Sequence, residues 1–434
     1  MRWNNLVLGV CICVAFVLFS AFAGVSAALA SARTIYVPDD YEKIQWAVDN
    51  ATAGDTIIVR DGVYTENVDV NVNNLTIRSE NGSASTIVQA KSSNDHVFEV
   101  QADYVNISGF TVTGATEPGK SGISLFHVSH CNVSNNHGIL NNLSISLWSS
   151  DTNIITGNAV SDNWIGIYLK NSSNNTIINN SATSDSWLGI ELWNSTNNVI
   201  SNNSVSLTDK WAGISLSYSC NNTIFNNNVS NTKGEGIRIG ENSNYNIIDG
   251  NSLYLNNHSG ICVDSSNNNM LINNIANSNK EHGIFLHSSN NNILSNNNAS
   301  HNHGKGILVG WNSNNNTITN NIANYNCGGI SIYSASNNNT VVDNIILNND
   351  FGININICKN LTFGENCENN LVKGNVISKN IAGIAVGNST YNIITGNNAS
   401  NNTVGIMIIN ASYNEIKNNI ANNNTGSEGD EEMP

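Results

Sequence analysis

The amino-acid sequence predicts an all-β fold, a single-stranded right-handed parallel β-helix (solenoid) of about 13 regular coils with an N-terminal cap. A glycine followed by isoleucine recurs about every 23 residues, and an apolar, variable, apolar triplet such as Ile167-Tyr168-Leu169 follows. This alternation is typical of strands. A repeat this short buries its apolar side chains only by stacking on its neighbours, through parallel, right-handed crossovers. The glycines are Gly166, Gly189, Gly213, Gly236, Gly260, Gly283, Gly306, Gly329 and Gly352.

Residues 1–32 precede the repeat and have the character of a secretory signal peptide. An apolar run extends from Leu6 to Phe22, and small residues that suit cleavage follow it. Because the apolar run is rather long, an uncleaved N-terminal anchor remains the alternative. Either form predicts an extracellular or cell-surface protein whose contact with a membrane is confined to this segment.

Residues 33–90 lack the 23-residue spacing and are predicted to form the N-terminal cap and the first irregular coils. The segment 41–50 has apolar residues spaced for one face of a short helix, which would cover the open end of the solenoid. Regular coils are expected over 91–425, and residues 426–434 form a short acidic tail.

Asparagine makes up about a fifth of the chain, and most of it is predicted to be structural. A second apolar pair in each repeat, such as Ile177-Ile178, precedes asparagine at a corner, such as Asn180. Asparagine tolerates the left-handed conformation, and stacked amides form hydrogen-bonded ladders. The same abundance creates glycosylation sequons, so a glycoprotein is a further expectation. They include Asn74, Asn106, Asn142, Asn194, Asn298, Asn338 and Asn410.

The charge balance and the cysteines restrict the partners and the compartment. The net charge is −15 and no basic stripe occurs, which argues against nucleic acid as a partner. Cys358 and Cys367 lie in the one long interruption of the repeat, so a disulfide is predicted to close that insertion. The spacing leaves the pairing of four other cysteines open. These are Cys131, Cys220, Cys262 and Cys327.

The repeat length, the asparagine corners and the opening segment together resemble a known family. That segment reads Ile35-Tyr-Val-Pro-Asp-Asp-Tyr-Glu-Lys-Ile-Gln45 and is followed by Gly54-Asp-Thr-Ile57. Residues 33–425 resemble the right-handed parallel β-helix repeat proteins, NosD-like and pectate-lyase-like surface proteins among them. The resemblance implies the fold strongly and the activity weakly, because this scaffold carries lyases, hydrolases, epimerases, adhesins and inert rods.

Three consecutive coils share an Asp-x-Trp-x-Gly pattern that marks the first candidate site. Tryptophan stands two residues before the repeat glycine and aspartate four before it. A row of indole faces would match stacked sugar rings, and a Ca²⁺ ion would bridge the carboxylates. The sequence therefore predicts glycan binding, with recent duplication of one coil as the alternative. The residues are Asp162, Asp185, Asp209, Trp164, Trp187 and Trp211, and Trp148 and Trp193 extend the aromatic area.

Four consecutive coils farther along the chain carry histidine or cysteine close to the repeat glycine. His258, His282, His303 and Cys327 lie one to three residues before it. Imidazole and thiolate are ligands for copper or zinc, and copper would agree with the NosD resemblance. Because the offsets differ, only adjacent members could share an ion, and solvated turn residues are the alternative.

Catalysis has weaker sequence support than binding. Asp162, Asp185, Asp209 and Arg238 are the candidates for a polysaccharide lyase or glycoside hydrolase. The signatures of β-helix hydrolases and uronate epimerases are absent from the sequence. The leading hypothesis is a non-catalytic surface β-helix that is structural or binds a polysaccharide. A polysaccharide-active enzyme and a NosD-like copper-handling protein remain the alternatives.

Overall fold

The computed structural model describes residues 31–356 and 365–426, which form one continuous parallel β-solenoid. Each coil contributes strands to three parallel sheets, and the first and third sheets contain 17 and 15 strands. The predicted fold class is confirmed, with about 16 coils instead of 13. The count differs because Thr34–Val37 already pairs with Thr56–Val59, so the cap segment also contributes the first rungs.

Within each sheet the strands follow one another in chain order. The first sheet comprises Thr34–Val37, Thr56–Val59, Thr76–Ser79, Asn106–Ser108, Asn132–Ser134, Ile154–Thr156, Thr176–Ile178, Val199–Ser201, Thr223–Phe225, Ile247–Asp249, Met270–Ile272, Ile293–Ser295, Thr317–Thr319, Thr340–Val342, Leu371–Lys373, Ile393–Thr395 and Glu415–Lys417. The second comprises Gly62–Thr65, Thr86–Gln89, Thr111–Thr113, His137–Ile139, Ala159–Ser161, Ser181–Thr183, Ser204–Ser206, Asn228–Ser230, Ser252–Tyr254 and Ile275–Asn277, and isolated bridges continue it to Ile345–Leu347 and Val376–Ser378. The third comprises Val68–Val70, Phe98–Val100, Ser121–Phe126, Leu143–Trp148, Ile165–Lys170, Leu188–Trp193, Ile214–Ser217, Ile237–Gly240, Ile261–Asp264, Ile284–His287, Lys305–Gly310, Gly328–Ile332, Phe351–Ile355, Ala382–Gly387 and Val404–Ile409.

A short helix, Ile44–Asp49, covers the N-terminal end of the solenoid as the sequence predicts. Its apolar face is buried against the first coils. The helix begins without a side-chain cap of its own, and the Glu66 carboxylate accepts hydrogen bonds from the backbone N–H groups of Ile44 and Gln45 at 3.0 and 3.1 Å. The first coil thus holds the cap through the N–H groups that a helix leaves unpaired.

The repeat glycines lie where the corner enters the third sheet, at a close approach of the backbone to the next coil. A Cβ on Gly189 would lie 2.3 Å from a methyl group of Val205 and 2.8 Å from the carbonyl oxygen of Gly213. The coil with Ser144 in the glycine position compensates, because Gly138 replaces the usual apolar residue opposite it. The glycine register is therefore a packing constraint.

Three asparagine ladders run along the corners, so the predicted structural role of asparagine is confirmed. The first ladder, with Asn175, precedes the first sheet; the second, with Asn180, lies between the first and second sheets; and the third, with Asn163, lies between the second and third sheets. The Asn180 side chain illustrates them: its Nδ2 donates to the carbonyl of Ile155 at 2.9 Å and to Oδ1 of Asn203 at 3.1 Å. The left-handed conformation belongs to the preceding residue, Asn179, at φ +58°. The sequence predicted that one asparagine both adopts the left-handed conformation and forms the ladder hydrogen bonds. In the structure two adjacent residues divide these roles.

The insertion falls between the third sheet and the next strand of the first sheet. The ladder resumes across it, because the backbone N–H of Asn339 donates to Oδ1 of Asn370 at 2.8 Å. Cys358 lies outside the described residues, so its disulfide with Cys367 remains a prediction. The four cysteines that the sequence left open carry free thiols: Cys131, Cys220, Cys262 and Cys327.

Two further features concern the surface. Over residues 31–356 and 365–426, no helix has the length and apolar character to cross a membrane. Of the seven sequon asparagines named above, four are exposed: Asn74, Asn194, Asn338 and Asn410.

Candidate functional site

Three tryptophans form one stack along the corner that leads into the third sheet. The ring centroids of Trp164 and Trp187 are 5.9 Å apart, and those of Trp187 and Trp211 are also 5.9 Å apart with an interplanar angle of 2°. We call these residues the tryptophan stack. The indoles thus partly cover one another, whereas the sequence had suggested a row of open faces. The outer members remain 44% and 42% exposed, so the stack presents its edges to solvent.

The three aspartates of the same coils do not form a column, which corrects the sequence prediction. Asp185 is fully buried and occupies an asparagine position of the third ladder, where its Oδ1 accepts from the backbone N and Nδ2 of Asn163. Asp162 and Asp209 are exposed on either side of that position, and Asp209 pairs with Lys233 at 2.9 Å. These carboxylates therefore cannot chelate one Ca²⁺ ion, nor act as paired acids.

The length of the corner explains the error. The repeat glycine follows the ladder residue by three positions after Asn163, by four after Asp185 and by five after Thr208. Aspartates at an equal distance from the glycine consequently fall before, in and after the ladder. Burial raises the pKa of Asp185 to about 8, because the hydrogen bonds from Asn163 compensate only part of the lost hydration.

A cleft of about 280 Å³ opens between the tryptophan stack and the outer face of the third sheet. Trp148 and Trp193 form its far wall, so the structure brings four of the five sequence-predicted tryptophans together. Tyr168 lies on the floor and contacts Trp148 edge to face at 5.4 Å. We call this the aromatic cleft. Its walls are predominantly apolar, as in most small-molecule sites.

Glu191 is a residue of the aromatic cleft that the sequence analysis missed. It lies on the floor, in register with Tyr168 and Ser215 on the adjacent strands. Within the described part of the chain, no hydrogen bond or ion pair engages its carboxyl group. Burial, with a smaller contribution from Glu241, raises its pKa to about 7. Its one local sequence feature is that it is the outward member of a triplet between two tryptophans, whereas the neighbours that complete the cleft lie in adjacent coils.

Arg238, the candidate catalytic base, is engaged by other groups. Its guanidinium lies 5.4 Å from the Trp211 ring and forms an ion pair with Asp264. Glu235 lies 3.8 Å away on the other side. None of the candidate aspartates contacts it, so the predicted acid and base do not meet.

The predicted histidine and cysteine ligands are dispersed. Burial lowers the pKa of His282 to about 4, and its Nδ1 accepts a hydrogen bond from the backbone N–H of Lys305 at 2.9 Å. His258 faces Glu281 at 3.7 Å, and Cys327 accepts from the Lys305 ammonium at 3.6 Å. His303 is exposed. Among the described residues, no three histidine, cysteine or acidic side chains lie close enough together to hold a metal ion.

Two family models match the chain. The model described as "Periplasmic copper-binding protein (NosD)" matches residues 48–234 and 351–429, and "Right handed beta helix region" matches 188–346. A cell surface glycoprotein of Methanothermus fervidus is 37% identical over 130 residues. That segment covers 30% of this chain and 20% of the relative, so the match spans only a fifth of the relative's length.

Solved structures of the same architecture are remote in sequence. The pre-mature bacteriophage phi29 gene product 12 has 12% identity and a TM-score of 0.63, over 89% of this chain and 71% of that one. The periplasmic alginate epimerase AlgG has 16% identity and a TM-score of 0.44, over 88% and 83% of the two chains. At such identities the phage similarity shows the fold alone. The NosD model matches more than half of the sequence, and the chain belongs to that family of parallel β-helix proteins.

Proposed function

We propose that this chain is a surface β-helix protein that binds a glycan in the aromatic cleft. The observation that carries the proposal is the convergence of four tryptophans and Tyr168 on one cleft with an unpaired carboxyl group on its floor. Aromatic rings contact the apolar faces of sugars, and a few polar groups fix the orientation of the hydroxyls. A volume of about 280 Å³ suits a small part of a glycan chain.

The charges around the cleft favour a glycan without acidic groups. The chain carries −15 overall, and Glu191 loses its proton near neutral pH. An ionised carboxylate on the floor would repel a uronate or a sulfate group. Lys170 is a cation close by, and its Nζ lies 5.1 Å from the Trp148 ring. We therefore expect neutral sugars to bind more tightly than uronates.

A location outside the cytoplasm is part of the proposal. The signal-like N-terminus lies outside the described residues, so the support comes from the comparisons. The family description names a periplasmic protein, and the relative from Methanothermus fervidus is a cell surface glycoprotein. The exposed sequons would suit such a location.

The donor set does not fit the copper in the family's description. Histidine and thiolate are the side chains that copper prefers, and the described residues do not gather three of them or their acidic substitutes at one place. His282 is the most buried of the candidates, and its Nδ1 is already engaged by a backbone N–H group. No metal-dependent step is therefore included in the proposal.

The test measures glycan binding with matched tryptophan variants. Neutral and acidic oligosaccharides are screened by calorimetry, with and without EDTA. We expect Trp187→Ala to weaken binding at least about tenfold, because truncating a central aromatic contact typically costs more than 1 kcal/mol. Trp46→Ala is the control, since Trp46 is 45% exposed on the cap helix, outside the cleft. Equal losses in both variants, or an unchanged Trp187→Ala protein, would exclude the aromatic cleft.

A further inference from the structure

A second cleft lies on the same face of the solenoid, beyond the tryptophan stack. It encloses about 260 Å³ and is lined by Glu235, Arg238, Asp264, Phe285 and His287, among others. We call it the acidic cleft. Arg238 and His258 were singled out separately from the sequence, and the lining residues lie before, within and after the apolar triplets of three coils, so no single spacing marks the cleft.

The two clefts are joined by one row of outward-facing residues. In the strand register, Glu191 pairs with Ser215, which pairs with Arg238. Two more steps lead through Cys262 to Phe285. Four steps between adjacent strands, at about 4.8 Å each, place Phe285, at the far end of the acidic cleft, about 19 Å from Glu191 along the axis. The stacking of Arg238 on the last indole of the tryptophan stack connects the two sites.

The acidic cleft is rigidly built. The Asp264 carboxylate accepts from Nδ1 of His287 at 3.0 Å and pairs with the Arg238 guanidinium. Burial alone would raise the pKa of Asp264, but the hydrogen bond from His287 and the charge of Arg238 lower it. The imidazole is held between Phe285 and Trp311, at ring distances of 5.8 and 5.3 Å. Nε2 of His287 makes no hydrogen bond within the described residues and is available to a ligand.

The balance of charge in this cleft indicates what kind of group it accepts. Three carboxylates, those of Glu235, Asp264 and Glu281, line the cleft with one guanidinium, so the cleft is negative. Such a site repels carboxylate and sulfate groups and favours hydroxyls or an ammonium group. Trp311 is 45% exposed beside it and offers a further aromatic contact.

We propose that the acidic cleft is a distal subsite for the same glycan, so that the ligand is a neutral or amino-bearing chain long enough to cross about 19 Å. This inference rests on the proposed function. A chain held in the aromatic cleft presents its distal part to the acidic cleft at high effective concentration, which raises the overall affinity. A short fragment occupies the aromatic cleft alone and lacks this gain.

The experiment compares dimers with hexamers of cello-, manno- and chito-oligosaccharides, with glucosamine and galacturonate hexamers alongside, by calorimetry. We expect the best hexamer to bind on the order of tenfold or more tightly than its dimer. Trp311→Ala and His287→Ala should remove that gain and leave dimer affinity unchanged. Thermal unfolding verifies that each variant is folded, and both side chains are accessible at the surface.

The outcomes separate this inference from the proposed function. Equal affinity for dimer and hexamer, or no effect of Trp311→Ala and His287→Ala, overturns the distal subsite while the aromatic cleft stands. Tightest binding of the galacturonate hexamer overturns the assignment of ligand charge. Absence of binding by every probe refutes the proposed function and the distal subsite with it.

Discussion

Asp185 should make the stability of this solenoid depend on pH. In a regular coil the ladder residue is asparagine, and Nδ2 of Asn163 donates to the carbonyls of Gly138 and Ser161 at 3.1 and 2.9 Å. The corresponding atom of Asp185 is Oδ2, which is buried and has no hydrogen-bond partner. A protonated carboxyl reproduces the donor that asparagine supplies, whereas an ionised one places a negative charge among carbonyl oxygens. Asp185→Asn restores the ladder without changing its shape.

The sign of this pH dependence follows because the pKa of Asp185 is higher in the folded state than in the unfolded state. Below about pH 4 the carboxyl is protonated in both states and contributes no pH dependence. Between about pH 4 and pH 8 the unfolded chain loses the proton while the folded chain keeps it, so stability falls as the pH rises. A difference of about four pKa units corresponds to at most about 5 kcal/mol. Water entering the corner would reduce this energy difference. We expect the free energy of unfolding to fall by at least about 2 kcal/mol between pH 4 and pH 8.

The assay is urea unfolding of wild type and Asp185→Asn at pH 4.5, 6 and 8.5, combined with hydrogen exchange of the coil around Asp185. The variant should match wild type at pH 4.5 and exceed it at pH 8.5. Asn180→Asp is the matched control, because it places an acid in the second ladder and should introduce the same dependence. Parallel pH profiles for wild type and Asp185→Asn would show that the buried carboxyl does not govern stability.

Two further predictions concern the repeat glycine and the cleft floor. Gly189→Ser should lower the free energy of unfolding, measured in urea, by about 1–3 kcal/mol, because the new Cβ meets Val205. Adding Val205→Gly should lower it by less than the sum of the two single changes, as the Ser144 and Gly138 pair suggests. Strict additivity would contradict this. Galacturonate binding by wild type should weaken as the pH rises through about 7, because Glu191 then ionises, and Glu191→Gln should abolish that dependence. Calorimetry at pH 5.5 and 8.5 checks this, and a dependence that persists in the variant would assign it to another group.

The fold was predictable because its determinants are local and repeated. Each coil is specified by one glycine where the backbone approaches the next coil, by inward apolar residues and by corner asparagines. These residues recur so often that their regular spacing is recognisable in the sequence. The sequence understated the coil number, since Ile35, Ile57 and Ile77 pair in the first sheet without any repeat glycine. The early coils are held by inward apolar residues, which the glycine spacing does not detect.

The candidate site was only partly predictable, for a reason of geometry. Spacing from the glycine located Trp164, Trp187 and Trp211 correctly because the tryptophans lie on the same side of the corner as the glycine. The aspartates lie across the corner, where the number of residues differs from coil to coil, so equal spacing no longer means equal position. Glu191 escaped notice because one outward residue carries no pattern by itself, and its significance comes from neighbours in adjacent coils.

The departures from the repeat coincide with the candidate site, and this has a physical basis. In a stack of identical coils every outward position recurs, and a cleft needs one coil to differ from the next. The third asparagine ladder is interrupted at Asp185, Thr208 and Thr232. Two of these corners carry Trp187 and Trp211 of the tryptophan stack, and Trp187 lines the aromatic cleft. Among the described residues, Oγ1 of Thr208 and, when Asp185 is ionised, its Oδ2 are buried without hydrogen-bond partners, which costs stability. Because the ladder is otherwise complete around them, the coils tolerate this cost beside the candidate site.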